Sequence, residues 1–260
     1  MVQPRREHAR ARRVYGQNLL TDAAAVRRVV TAARIGPDDL LYEVGAGRGR
    51  LTAAAAPRCR GLVAYEVDPA LAAAVPRLPG VTVRAADFLA ARPPAEPFAV
   101  LGNIPFALTA AVVRWCLGAP TLTAATLLTQ LDYARRRTGE RGRWSRLTVR
   151  TWPQVHWQLT GRVPRTAFRP VPGVDAGILR LTRRPVPLVA PAALRSYERF
   201  VDAGFTGVGG SLRATLSRRY GGRRTSAAFR AVRLPADVPV GLVWPEQWLT
   251  LFRLLTAPRR

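Results

Sequence analysis

Leu40-Leu41-Tyr42-Glu43-Val44-Gly45-Ala46-Gly47-Arg48-Gly49 is a short, mostly apolar run that breaks into three alternating glycines. An apolar run of this length fits a strand buried on both faces. Glycine bends the chain sharply and lets backbone approach a ligand where a Cβ would collide. Residues 40 to 44 therefore predict a strand and residues 50 to 56 a helix, with Gly45, Gly47 and Gly49 in the turn where the helix presents its free N–H groups. The spacing is not the G-x-G-x-x-G that seats a pyrophosphate. Taken alone, the glycines fit a tight strand-to-helix turn equally well.

Working outward, Thr21 or Asp22 reads as a helix N-cap, with Val26, Val29 and Val30 on one helix face before Gly36-Pro37 ends it. Downstream, strands are predicted at 61–65, 81–84, 98–102 and 124–128, and helices at 69–75 and 108–117. This alternation implies an α/β domain, a mostly parallel sheet with helices on both faces. After Arg150 the pattern changes. Residues 155–159 and 178–181 are expected as an antiparallel closing pair, joined by a Pro- and Arg-rich connection over 162–175. Pro185, Pro187 and Pro191 mark a linker, and helical spacing over 192–205, 212–219 and 248–255 predicts a small all-helical C-terminal domain. The expected organisation is a basic arm over 1–13, a catalytic domain over 14–184 and the helical domain over 185–260.

Polar residues recur at successive strand ends, where ligands bind in such sheets. Glu66, 21 residues after Gly45, is placed to accept both hydroxyl protons of a ribose. Asp68, before Pro69, reads instead as a helix cap. Asp87 is placed to accept the amino protons of an adenine, with Phe88 as an apolar face. Asn103-Ile104-Pro105-Phe106 then follows the strand at 98–102. An exocyclic base amine is a poor nucleophile because its lone pair is delocalised into the ring. Accepting hydrogen bonds from both of its N–H groups draws the nitrogen toward tetrahedral geometry. The Asn103 amide oxygen and the Ile104 carbonyl suit that role, with Pro105 fixing the bend and Phe106 stacking on the base. Elsewhere an Asn-Pro pair after a strand would be an ordinary turn. In this order, the residues imply methyl transfer from S-adenosylmethionine to a base nitrogen, with no metal.

All 41 basic residues are arginine, against 16 acidic residues, for a net charge of +25. Between Gly36 and Asn103 seven arginines balance seven acids, so the surplus lies outside the cofactor half. A neutral cofactor segment within a basic chain suggests a nucleic-acid substrate gripped through its phosphates, although such charge can also be plain solvated surface. Arg135, Arg136, Arg137, Arg141, Arg143 and Arg146 are the densest cluster. They are expected on a loop at the edge that carries the site, with Trp144 among them for base stacking, whereas Trp152 and Trp157 are expected in the core. Steeply salt-dependent binding follows from the phosphate grip. Cys59 and Cys116 lack metal-ligand spacing or a disulfide framework, which implies a reduced, intracellular protein. With no export signal or membrane-spanning run recognisable, the chain is expected in the cytoplasm, away from membranes.

Four motifs together resemble the rRNA adenine N6-methyltransferases, the family of the erythromycin-resistance methylases and the housekeeping dimethyladenosine transferases. They are residues 15–20 (Tyr-Gly-Gln-Asn-Leu-Leu), 44–49, 103–106 and 168–175 (Phe-Arg-Pro-Val-Pro-Gly-Val-Asp). The resemblance implies a Rossmann-like class I methyltransferase with a seven-stranded sheet. It places Gln17, Asn18 and Leu20 in the cofactor pocket beside Gly45, Gly47, Glu66, Asp87 and Asn103, and sets Phe168 across the target adenine from Phe106. Ile104, the Gly-Ala-Gly-Arg-Gly form and the arginine-rich arm look like the resistance branch. That branch modifies one adenine of 23S rRNA, expected before the ribosome is fully assembled, and blocks macrolide, lincosamide and streptogramin B binding; the enzyme is expected as a monomer. The alternatives are a small-subunit dimethyladenosine transferase or a non-catalytic RNA- or DNA-binding relative. Phe106 stands where many relatives carry Tyr, which keeps stacking and excludes a phenol hydroxyl.

Overall fold

The computed structural model describes residues 18–140, 142–207 and 209–257. Two compact units result, one built from residues up to Ala134 together with Gln158–Arg183, the other from Arg135–Trp157 and Arg184 onward. The second unit thus combines the helical tail with a stretch that the sequence reading assigns to the catalytic domain. The expected arm over 1–13 lies outside the described residues.

The first unit is a sheet wrapped by helices. Its elements are β1 (Leu19–Leu20), α1 (Ala23–Ala33), β2 (Leu40–Val44), α2 (Arg50–Ala55), β3 (Gly61–Glu66), α3 (Pro69–Ala74), β4 (Val81–Ala85), β5 (Phe98–Asn103), α4 (Thr109–Gly118), β6 (Leu122–Gln130) and, later, β8 (Phe168–Arg169) and β9 (Ala176–Arg183). Between them, α5 (Leu131–Thr138), α6 (Arg146–Thr151) and β7 (Val155–Val163) complete the middle of the chain. The seven-stranded sheet runs in the order β4-β3-β2-β5-β6-β9-β7. Its first five strands are parallel, and β9 lies antiparallel to β6. The parallel strands bring Val44, Glu66, Ala85 and Asn103 to one carboxyl edge, so a ligand there meets residues distant in sequence.

Local rules account for most boundaries. Asp22 caps α1 by accepting the Ala25 N–H at 2.6 Å, and Val26, Val29 and Val30 are buried on its inner face. Asp68 caps α3 through the Ala70 N–H at 2.9 Å. In mid-sheet, Gly102 admits β2 alongside β5, since a Cβ there would stand 2.9 Å from the Val44 carbonyl oxygen.

Two expectations need correction. The stretch after Gln130 is not one loop: Arg135, Arg136 and Arg137 belong to α5, and Arg146 opens α6. Leu131 and Ala134 give α5 a buried side, Asp132 favours its first turn, and arginine is a good helix former. The tail after Arg184 also contains one more helix than its spacing suggests, with α7 (Pro191–Gly204), α8 (Leu212–Tyr220), α9 (Gly222–Ala231) and α10 (Pro245–Thr256) among the described residues. Helix α9 begins on a glycine pair, which argues against a helix locally. It is held by burial of Thr225, Ala228 and Phe229.

Candidate active site

The glycine turn forms as the sequence requires. Gly45, Gly47 and Gly49 have φ of 69°, 58° and 76°, in the left-handed region that favours glycine. A Cβ on Gly47 would meet Leu19 Cδ2 at 2.9 Å, and one on Gly49 would meet Pro76 Cδ at 2.5 Å. The turn is clamped from the next strand, because the Tyr65 carbonyl accepts the N–H groups of Gly45 and Ala46 at 2.9 and 3.0 Å.

Glu66, at the end of β3, is buried, and its carboxylate accepts the Gly47 N–H at 2.8 Å and the Asp68 N–H at 3.0 Å. It therefore holds the glycine turn in place as well as offering lone pairs to a ligand. Asp87 is exposed at the end of the β4 connection and accepts the Leu89 N–H at 2.9 Å. Phe88 beside it does not present an open face. It is buried between Tyr65 and Trp115, with ring centroids 5.6 and 4.3 Å away.

At the end of β5 the Asn103 side chain donates its Nδ2–H to the Asn18 carbonyl at 2.8 Å. With the amino side of the amide tied down, the oxygen side is the free acceptor, as an amine clamp requires. The backbone of Asn103 also borders the glycine turn, where a Cβ on Gly45 would lie 3.4 Å from the Asn103 carbonyl oxygen. Ile104 is buried, Pro105 has φ −54°, and Phe106 opens a short 3-10 turn while packing one side on the core. Leu20 pairs with Phe168 across β1 and β8, and both are buried. Phe168 has 0% exposure. The structure therefore puts it in the hydrophobic core and leaves Phe106 as the aromatic with accessible surface. Gln17 lies outside the described residues.

Sequence reasoning missed four charged residues of this site, Glu43, Arg48, Arg50 and Arg169. A cavity of about 130 Å³ is lined by Leu19, Glu43, Arg48, Arg50, Asn103 and Arg169, among others. Glu43 is fully buried and accepts the Thr52 hydroxyl at 2.6 Å. Burial, with Glu66 nearby, pushes its carboxyl pKa up to about 7. The signal was available: a carboxylate inside a buried strand is costly and calls for a reason. Arg48 and Arg50 were visible in the glycine turn, whereas Arg169 is brought in only by the pairing of β8 with β1.

S-adenosylmethionine suits these residues. Asn18 Oδ1 and Glu43 Oε1 are buried acceptors without a hydrogen-bond partner, which complements an ammonium group or hydroxyls. The arginines in the cavity lining complement a carboxylate, and the open glycine turn accommodates close approach. Among the described residues no group of His, Cys, Asp and Glu could hold a metal ion.

The predicted RNA-binding arginines all fall in the second unit, apart from Arg141, which lies outside the described residues. Arg136, Arg143 and Arg146 are exposed, while Arg135 pairs with Glu140 at 2.6 Å and Arg137 donates to the Ser145 hydroxyl at 2.8 Å. Trp144 is buried against Trp152 and Trp244, with centroids 5.5 and 5.4 Å away. It is therefore a core residue and not a stacking surface. Trp152 and Trp157 are buried, as expected.

A parallel sheet with a glycine turn, a buried acid on the second strand and an asparagine clamp on the fourth defines a Rossmann-like methyltransferase. The match to the family described as "Ribosomal RNA adenine dimethylase" spans residues 8–257, and the chain belongs to that family. It is 55% identical over 256 residues to an rRNA adenine N-6-methyltransferase of Streptomyces fradiae, covering 96% of this chain and 80% of that one. The mycinamicin-resistance protein MyrB of Micromonospora griseorubida is 34% identical over 96% of this chain and 84% of its own. The crystal structure of the 23S rRNA methyltransferase ErmE superposes with a TM-score of 0.90 at 47% identity, covering 92% of this chain and all (100%) of that one.

Proposed function

We propose that this protein methylates N6 of one adenine in 23S rRNA and thereby protects the ribosome from macrolides, lincosamides and streptogramin B. The observation that carries the reading is the Asn103 amide, whose Nδ2 is held by the Asn18 carbonyl at 2.8 Å, which leaves its oxygen as the acceptor for an amine. The large-subunit target and the resistance role are supported by the similarity to the 23S rRNA methyltransferase ErmE and to the mycinamicin-resistance protein MyrB.

When bound, S-adenosylmethionine supplies an activated methyl group on a cationic sulfur that leaves neutral, so no strong base is needed to start the reaction. This chain's own residues do the positioning. Glu66 and Asp87 accept from the ribose and the adenine of the donor, and the backbone of Gly45 and Gly47 leaves it room. Asn18 and Leu20 close the pocket from the N-terminal side. Asn103 Oδ1 and the Ile104 carbonyl accept the two amine protons of the target base, Pro105 holds the bend and Phe106 stacks on the ring. Phe168 supports this shell from the core. The target adenine leaves its stack to reach the clamp, while the exposed Arg136, Arg143 and Arg146 hold RNA phosphates, with Arg135, Arg137 and Arg141 adding charge. The protein works as a monomer in the cytoplasm on rRNA not yet fully assembled; no described helix is long and apolar enough to cross a membrane.

Primer extension on ribosomal RNA from cells expressing the protein tests the reading. A stop at one large-subunit adenine is expected, lost with Asn103→Ala. A stop on the small-subunit RNA, or none at all, defeats it.

A further inference from the structure

The outer face of α1 carries a feature that methyl transfer does not use. Its inner stripe is apolar and buried, while Arg27, Arg28, Thr31 and Arg34 are exposed. Arg27, Arg28 and Thr31 stand at helical spacing, and Arg34 follows at the helix end. These residues form one wall of an open groove of about 520 Å³, whose other wall is the sheet at Thr160 and Ile178. The groove lies wholly within the first unit.

Three observations give the groove a chemistry. First, its charge is uncompensated. Arg27 and Arg34 form no ion pair among the described residues, and of the carboxylates that flank the helix Asp22 accepts the Ala25 N–H and Asp39 the Gly36 N–H. Behind the groove, Arg180 on β9 is 8% exposed, its Nε has no partner, and it lies close enough to Arg34 to feel its repulsion. Second, Arg34 holds φ 52°, a left-handed conformation at the helix end where glycine would be cheaper. A non-glycine residue kept there for its side chain is the kind of outlier from which a function is inferred. Third, Gly161 leaves room beside Arg28 and Ile178. A Cβ there would come within 3.2 Å of Arg28 Nη2, which donates to the Arg162 carbonyl at 2.6 Å.

We infer that this groove is a second RNA-binding surface, which grips the phosphate backbone of the substrate rRNA through Arg27 and Arg34 with Arg28 held between them. The inference rests on the proposed action on rRNA and adds a contact face to it. Arginine forks match phosphate geometry, and seven residues of helix separate Arg27 from Arg34 by roughly 10 Å, enough to engage more than one phosphate. Such contacts position the duplex without reading its sequence.

The test measures affinity and methylation together on a large-subunit rRNA fragment spanning the modified adenine, with an RNA duplex of unrelated sequence beside it. For R27A/R34A, binding to both RNAs is expected to weaken roughly tenfold at 0.1 M salt. The slope of log affinity against log salt should fall by about 2, one for each lost phosphate contact. Binding of S-adenosylmethionine should not change. R34G separates function from folding: it relieves the left-handed strain, so it should melt at the same or a higher temperature while binding RNA less tightly. Unchanged affinity and salt slope in both variants, with the wild type active, overturn the groove and leave the methylation reading intact. A loss confined to the rRNA fragment overturns the backbone grip. A wild type that neither binds nor methylates the fragment overturns both.

Discussion

Two phenylalanines show what a single residue type can do at different addresses. Phe106 packs one side on the core and keeps the other accessible beside the amine clamp, whereas Phe168 has no exposed surface. Stacking belongs to the first and stability to the second. Phe168→Ala is expected to cost about 3–5 kcal/mol in denaturant unfolding, the usual range for a large core aromatic. Phe106→Ala should leave stability within about 1 kcal/mol but lower the methylation rate on rRNA by at least tenfold, the loss of an aromatic face worth about 1–3 kcal/mol. Equal stability losses for the two variants would show that the division of labour is wrong. From sequence both residues read as base-facing, because a motif identifies a residue without telling which of its faces is covered.

At the scale of elements, the glycine turn is the part most tightly constrained by geometry. Gly49 combines a φ of 76° with a Cβ position 2.5 Å from Pro76 and 3.1 Å from Val75. Gly49→Ala is therefore strained twice, by backbone and by contact, and should destabilise the fold by roughly 1–3 kcal/mol while weakening S-adenosylmethionine binding. Calorimetry of the variant with the donor checks this, and wild-type affinity with a wild-type melting point would refute it. The strands and helices around the turn were legible from apolar runs and caps such as Asp22 and Asp68. Helix α9 was not, since its glycine start opposes helix locally and only burial of Phe229 and its neighbours offsets that. Nor was α5, whose arginines look like a solvated loop until Leu131 and Ala134 are seen to be buried.

For the molecule as a whole, Glu43 links the site to stability. Its carboxyl pKa is raised from an ordinary 4.5 to about 7 by burial, with Glu66 adding repulsion. The neutral form is thus the one the fold favours. Its contribution is complete below about pH 4.5 and is lost as the pH rises through 7, an effect on the order of 3 kcal/mol at most. Glu43→Gln keeps an acceptor for the Thr52 hydroxyl and removes the titration. The stability of wild type relative to this variant should fall between about pH 4.5 and 7 and level off above, and a constant difference across that range would disprove the assignment. The charge of +25 acts on the same scale, through the phosphate contacts whose salt dependence is the readout for the groove on α1.

By itself the sequence determined the parallel sheet, the glycine turn and the polar residues at successive strand ends. These depend on hydrophobic period, on glycine's access to positive φ and on short-range spacing. Only the tertiary structure decided that Asn18 orients Asn103 from 85 positions away, that Glu66 braces Gly47, and that β8 carries Arg169 to the cavity. It also decided that Phe168 and Trp144 are core and that Glu43 lines the site. The reason is that periodicity encodes which side of an element is apolar, whereas the neighbour that covers that side is selected by long-range packing across the sheet.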